Sequence, residues 1–323
     1  MTGPGGRSGG SVTGPGGRSG GSVTGPGGRS RESVTESYYG RPILKAPVWK
    51  PYIPVYFFAG GLAGASSTLA LAARLTGNRR LARSALVASA AGMAVSGPLL
   101  VLDLGRPGRF LNMLRVIKPT SPMSVGSWLL AAFAPASFGA AASDVTGRLP
   151  GLGRAAAAGA GLLGPVVATY TAVLVADTAI PAWHDAFREL PFLFAGSSMA
   201  SAGGVGMALT PVADAGPARR LAVLGAALEV TAARTMEHHL GDVAGPYTDG
   251  RAGRLSQAAQ ACTVAGALLA LVAGRRRPAA VAAGTLLCAG SLLTRFSVFR
   301  AGFESAADPA ATVGPQRPRA GSA

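Results

Sequence analysis

Eight apolar runs, each close to the ~20 residues an α-helix needs to cross a bilayer, constrain this chain more than any other feature. They cover residues 52–75, 81–102, 124–143, 155–180, 190–211, 219–237, 256–273 and 278–298 of a chain of 323 residues. Only 14% of the residues are charged, against roughly 25% in an ordinary soluble domain. That leaves little charged surface to hold a water-soluble fold in solution. Glycine (47 residues) and alanine are abundant and aromatics scarce. Small residues let helices approach closely in lipid, where packing rather than water exclusion drives association. The sequence therefore predicts an all-α integral membrane protein of eight transmembrane helices, multi-pass in the cell membrane, with the lipid bilayer as its surroundings.

An even number of spans puts both termini on one face. The links after runs one, three, five and seven are short: Gly77–Arg80, Thr146–Arg148, Asp214–Pro217 and Arg275–Arg277. The links on the other face are longer and hold most of the unusual residues. The net charge of +16 would suggest nucleic acid in a soluble protein. Here the arginines fall in the tail and the links, where topology and anionic headgroups explain them. No basic folded surface domain is left to bind nucleic acid, so no such partner is expected.

Residues 2–34 are three copies of one eleven-residue unit, TGPGGRSGGSV twice and then TGPGGRSRESV. Gly, Ser and Pro at this density cannot bury enough apolar surface to fold. No apolar segment follows the early arginines closely enough for a signal peptide. The expected organisation is a disordered repeat tail over 1–37, a membrane domain over 38–302 and a C-terminal tail over 303–323. Cys262 and Cys288 each lie in an apolar run and read as small residues in helix packing. They cannot build an iron–sulfur or zinc site.

An ionisable residue at bilayer depth is costly and is by default a functional candidate. Glu229 lies near the middle of run six with no cation close in sequence. It is protonated, paired with another helix or turned to a wet cavity. A role in proton transfer or quinone chemistry and a buried structural hydrogen bond are its two readings. Arg234, Glu237 and His238 close the same run on one face, as a local ion pair. Tyr170 and Asp177 are seven residues apart in run four, about two turns, so the pattern projects both from one side. Trp183 and His184 follow at the membrane boundary. A phenol, a carboxylate and an imidazole there could hold a quinone head group and relay protons; an interfacial anchor with a helix-ending Asp is the plainer reading. Asp103 ends run two in Asp-Leu-Gly-Arg-Pro-Gly. Asp103 and Arg106 there either pair with each other or form a docking platform. Phe110 to Ile117 then reads as a short amphipathic stretch along the surface. Arg295, late in run eight, reads as a snorkelling residue.

Three histidines, His184, His238 and His239, make up the whole complement. None lies deep in an apolar run, so paired axial ligation of a haem is not expected. There is no phosphate loop and no cysteine cluster. Any redox role therefore needs electron carriers on a partner, with this chain offering a pocket and a proton route.

Three stretches resemble the membrane subunits of the polysulfide reductase, or NrfD/PsrC, family. The first is Tyr39-Gly-Arg-Pro42 with Trp49-Lys-Pro51 and Phe57-Phe-Ala-Gly-Gly-Leu-Ala-Gly64. The most specific is Asp103-Leu-Gly-Arg-Pro107 through Phe110-Leu-Asn-Met113 to Lys118-Pro-Thr-Ser-Pro-Met-Ser124. The last is Arg295–Phe299 with Ala301-Gly302, Asp308-Pro309 and Pro315-Gln-Arg317. The resemblance covers roughly residues 38–317. It implies eight helices in two four-helix bundles, no haem, and partners consisting of a ferredoxin-like iron–sulfur subunit and a molybdopterin catalytic subunit, with a formate dehydrogenase as the suggested kind. It implies menaquinone bound near that interface, with Tyr170 in the position of a quinone-contacting tyrosine. Asp103 and Arg106 would then approach the quinone from the docking loop, Asp177 and His184 its head group, and Glu229 would carry protons. Some relatives also use an Asn and a His early in the first helix; Val48 to Phe58 has neither. A membrane anchor without quinone chemistry is the alternative that this departure favours. A secondary transporter or proton channel is a third reading, resting on Glu229 and Asp177.

Overall fold

The computed structural model describes residues 44–309 apart from 105, 107 and 109–111, and leaves out the side chain of Asp242. The repeat tail and residues 310–323 lie outside the described residues, as does part of the stretch from Phe110 to Ile117. All the described residues belong to one compact unit, Gly40–Ala323. Among them are eight long helices: α1 (Ile53–Leu75), α2 (Arg79–Asp103), α3 (Pro122–Thr146), α4 (Pro150–Ala176), α5 (Leu190–Leu209), α6 (Gly216–Leu240), α7 (Gly250–Ala273) and α8 (Arg277–Ala307).

The eight runs and eight helices correspond one to one, and their ends follow local chemistry. Asn78 caps α2 by accepting from the Leu81 N–H, and Ser121 caps α3 through the Ser124 N–H. Proline stands in the first turn of α1 and α3–α6, where its missing N–H costs nothing. Gly147, with φ of 71°, ends α3 in the left-handed conformation.

Seven of the eight are long and apolar enough to cross a membrane. The exception is α6, which carries Arg219, Arg220, Glu229, Arg234 and Glu237. These charges lower its hydropathy below that of its neighbours, so the expectation of eight apolar spans holds for seven. With seven such helices, the chain is a multi-pass membrane protein.

Within the first half, α1 packs on α2 and α4, and α3 packs on α4. Within the second, α5 packs on α6 and α8, and α7 on α8. The halves meet mainly through α1 and α4 against α5. Close approach depends on small residues. A Cβ on Gly64 would come 2.5 Å from the Gly164 carbonyl oxygen, and one on Gly164 would come 2.4 Å from that of Gly64. The α1–α4 crossing is thus backbone on backbone. The core is aromatic towards the long connections, with Tyr56, Phe57, Phe133, Trp183, Phe194 and Tyr247. It is mostly alanine and leucine towards the short links.

Several local expectations change. Helix α4 ends at Ala176, not 180, and Asp177 is its C-cap. Helix α8 continues to Ala307, so residues 303–307 pack with the membrane body: Phe303 lies edge-on to Trp183, and Glu304 accepts from the Ala252 N–H. A boundary at 302 therefore cuts a helix. Beyond Asn112 and Met113, the stretch to Ile117 is not helical. Ser124 and the Trp128 indole instead hold it by donating to the Val116 carbonyl, and Val116 and Ile117 are exposed.

Candidate functional site

Two polar clusters lie inside the helices. The first joins α1, α2 and α4 near the long connections. Tyr170 and Tyr56 are both buried, and their hydroxyls hydrogen-bond to each other. The ring of Tyr170 is seated by a glycine: a Cβ on Gly126 of α3 would come 2.6 Å from its Cε2. Asp103, the last residue of α2, is close enough for its charge to act on the Tyr56 hydroxyl. Among the described residues its Oδ1 is buried without a hydrogen-bond partner. A buried acceptor left unpaired in an otherwise satisfied cluster is the kind of group a ligand donor completes.

Next to this cluster an apolar groove of about 610 Å³ runs between α2 and α3, past Pro98 and Pro135. Two of its wall residues, Met93 and Leu130, belong to the same buried core as Tyr56 and Tyr170.

The second cluster lies at mid-depth. Glu229 is buried; its Oε1 accepts from Thr294 Oγ1 at 2.6 Å and its Oε2 from Thr263 Oγ1 at 3.3 Å. Arg295 is 0% exposed, so it does not snorkel. Gly61, where a Cβ would lie 3.3 Å from Nη2, leaves room for it to turn inward: it donates to the Phe194 carbonyl and to Ser198 Oγ, each at 3.0 Å, and its guanidinium stacks 3.7 Å from the Phe194 ring centre. Its Nε and Nη1 are buried without partners. Glu229 and Arg295 are electrostatically coupled without forming a direct ion pair. Glu229 also borders a cavity of about 20 Å³, room for about one water molecule. Gln260 and Glu237 line the same cavity, and Gln260 donates to Glu237 at 3.1 Å. Glu237 in turn pairs with the exposed Arg234 at 3.3 Å. A polar chain thus runs from mid-depth to the surface at the long-connection end.

The other sequence candidates are placed differently. Asp177 and His184 are exposed, and the His184 ring contacts the Ala176 carbonyl at 3.2 Å. Helical spacing put Asp177 on the Tyr170 side, but α4 stops one residue earlier and Asp177 turns out to solvent. Neither residue joins the phenol pair. Arg106 is exposed, and no ion pair joins it to Asp103 among the described residues. His238 and His239 are both exposed, His239 against Glu189 at 3.0 Å.

Trp183 is not an interfacial anchor. It is fully buried, stacks on Trp49 at 5.2 Å and donates to the Val298 carbonyl at 2.6 Å. Its indole fills the space over Gly302, where a Cβ would lie 1.9 Å from Cε2. Tyr247, in the turn Gly245–Thr248, donates to the Ala182 carbonyl at 2.8 Å, and burial pushes its hydroxyl above the ordinary tyrosine range.

The family model described as polysulphide reductase, NrfD, matches residues 43–223, more than half of the chain. The chain belongs to the NrfD family. The match runs from just before α1 into the first turns of α6 and so contains Tyr56, Asp103 and Tyr170 but not Glu229 or Arg295. No curated protein sequence matches the chain. Membership makes this NrfD chain a membrane subunit of complexes of the polysulfide reductase and molybdoenzyme type, whose usual companions are iron–sulfur and molybdopterin subunits.

Sequence reasoning missed Tyr56. Its hydroxyl in an apolar run was the available signal, but among Phe57 and Phe58 it reads as one more aromatic.

Proposed function

We propose that this NrfD chain is the quinone-reactive subunit of a molybdopterin oxidoreductase complex, exchanging electrons between a partner's iron–sulfur cluster and menaquinone. The observation that carries the reading is Asp103 Oδ1, buried and without a partner among the described residues, at the end of the helix α2 that packs on the Tyr56 helix. A quinone head group presents carbonyl acceptors and, once reduced, hydroxyl donors. The phenols can donate to the first, and Asp103 can accept from the second. The apolar groove against Met93 and Leu130 suits the isoprenoid tail. Reduction of one quinone takes two electrons, supplied singly by the partner's cluster, and two protons.

In this reading α6 also spans the bilayer, with Glu229 and Glu237 turned to the polar chain and Arg219, Arg220 and Arg234 towards its two ends. That makes eight spans. The pairing of α1–α4 among themselves and of α5–α8 among themselves supports two four-helix bundles. Glu229 exchanges protons through the one-water cavity, Gln260 and Glu237, a path of about 12 Å along α6 from Glu229 to Glu237. Asp177, His184 and Arg106, exposed at the long-connection end, belong to the docking face of the iron–sulfur subunit rather than to the head-group pocket.

Membrane anchoring without quinone chemistry is the second reading, favoured by the lack of Asn and His between Val48 and Phe58. The two readings separate when the purified complex is placed in vesicles containing menaquinone and given the partner enzyme's substrate. Quinone-reactive function predicts reduction of the menaquinone pool. Turnover with a soluble dye but none with menaquinone would leave only the anchor.

A further inference from the structure

At the end of the helices opposite the phenols, the short links gather an arginine-walled groove of about 740 Å³. Arg74, Arg79, Arg80, Arg83 and Arg154 line it, drawn from α1, α2 and α4, together with Asp144 of α3. Two carboxylates answer these five guanidiniums. Asp144 holds Arg74 at 2.7 Å and Arg83 at 3.7 Å, and Asp214 holds Arg80 at 3.1 Å. Arg79 and Arg154 are exposed and have no acidic partner among the described residues. Five arginines against two carboxylates leave three positive charges uncompensated.

The walls of the groove are not charged throughout. Leu71 and Leu75 contribute its apolar side, and Leu75 is 81% exposed. On the neighbouring α4, Leu162 is 73% exposed. A cationic rim at the helix ends, continuing into apolar surface along α1 and α4, matches a headgroup phosphate with hydrocarbon attached to it. Free phosphate would satisfy the rim and leave the leucines uncovered. Basic pockets between transmembrane helices are suited to anionic lipid headgroups, and the planar guanidinium fork fits phosphate oxygens.

We propose that this groove binds an anionic phospholipid, with the phosphate taken by Arg79 and Arg154 and an acyl chain lying along Leu71 and Leu75. The bound lipid neutralises the mutual repulsion of the arginines and ties the ends of α1, α2 and α4 together. The site is separate from the phenol cluster and does not depend on quinone chemistry.

The test uses the full chain purified in detergent micelles doped with dioleoyl phosphatidylglycerol, dioleoyl phosphatidylcholine or inorganic phosphate. Bound lipid is counted by native mass spectrometry, and the unfolding temperature is followed in parallel. Phosphatidylglycerol should be retained and should raise the unfolding temperature. The double variant Arg79→Ala/Arg154→Ala, which spares both ion-paired carboxylates, should weaken its binding about thirty-fold, on the basis of about 1 kcal/mol per arginine. The control Arg275→Ala/Arg276→Ala removes the same charge from the same face outside the groove and should leave binding within about threefold. Equal retention of phosphatidylcholine would overturn the proposal. So would an equal loss in the control variant, or stabilisation by inorganic phosphate matching that by the lipid.

Discussion

Tyr170→Phe is expected to slow menaquinone-linked turnover of the assembled complex about 100-fold, the usual scale for losing one positioned proton donor. Dye-linked turnover by the partner should be unchanged. The substitution removes only the hydroxyl. The ring keeps its seat against Gly126, and Tyr56 loses one hydrogen bond, so stability should fall by only about 1 kcal/mol. Tyr56→Phe should give a loss of the same order, because the two hydroxyls act on the head group as a pair. Quinone kinetics untouched by Tyr170→Phe would remove that residue from the site.

The largest stability effect is expected at Arg295. Arg295→Met keeps much of the side-chain volume but deletes a fully buried guanidinium, its bonds to Phe194 and Ser198, and the countercharge to Glu229. Stranding a buried charge costs roughly 3 kcal/mol or more, a large share of the stability of most domains. Glu229→Gln keeps one acceptor oxygen and puts a donor NH2 in place of the other, so one of Thr263 and Thr294 must turn its hydroxyl to accept, and the change should still cost less. If the two charges support each other, Arg295→Met/Glu229→Gln should be more stable than the sum of the single changes predicts. Thermal unfolding of the three variants in detergent measures this directly. Strict additivity would mean that Glu229 does not depend on the guanidinium, and the proton route would then lose its countercharge.

What could be read from the sequence was governed by length and period. Runs near twenty apolar residues located all eight long helices, because a helix crossing lipid must satisfy its backbone internally and needs a fixed length. Hydropathy alone does not carry α6 across: Glu229 and Glu237 line a small internal cavity while Arg234 is exposed, and composition does not report facing. Side-chain partners across helices were harder still. Arg295 looked free to reach the surface, but Phe194, Ser198 and the gap at Gly61 accommodate it inside. Trp183 looked like an interfacial ring, but Gly302 and Trp49 form a slot for it. Asp177 followed Tyr170 by helical spacing, but that spacing has no meaning beyond the last helical residue, Ala176. Tyr170 and Asp103 were visible because a polar group within or at the end of an apolar run needs a partner. The partner itself, Tyr56, emerged only from the packing of α1 on α4.

The most direct measurement is calorimetric titration of a short-chain menaquinone analogue onto the purified complex carrying either the natural chain or the Asp103→Ala variant. The phenol–carboxylate pocket predicts one saturable site per chain, with affinity at least about tenfold weaker in the variant, the scale of one hydrogen bond to a charged acceptor. No saturable binding, or binding that Asp103→Ala leaves intact, would contradict it.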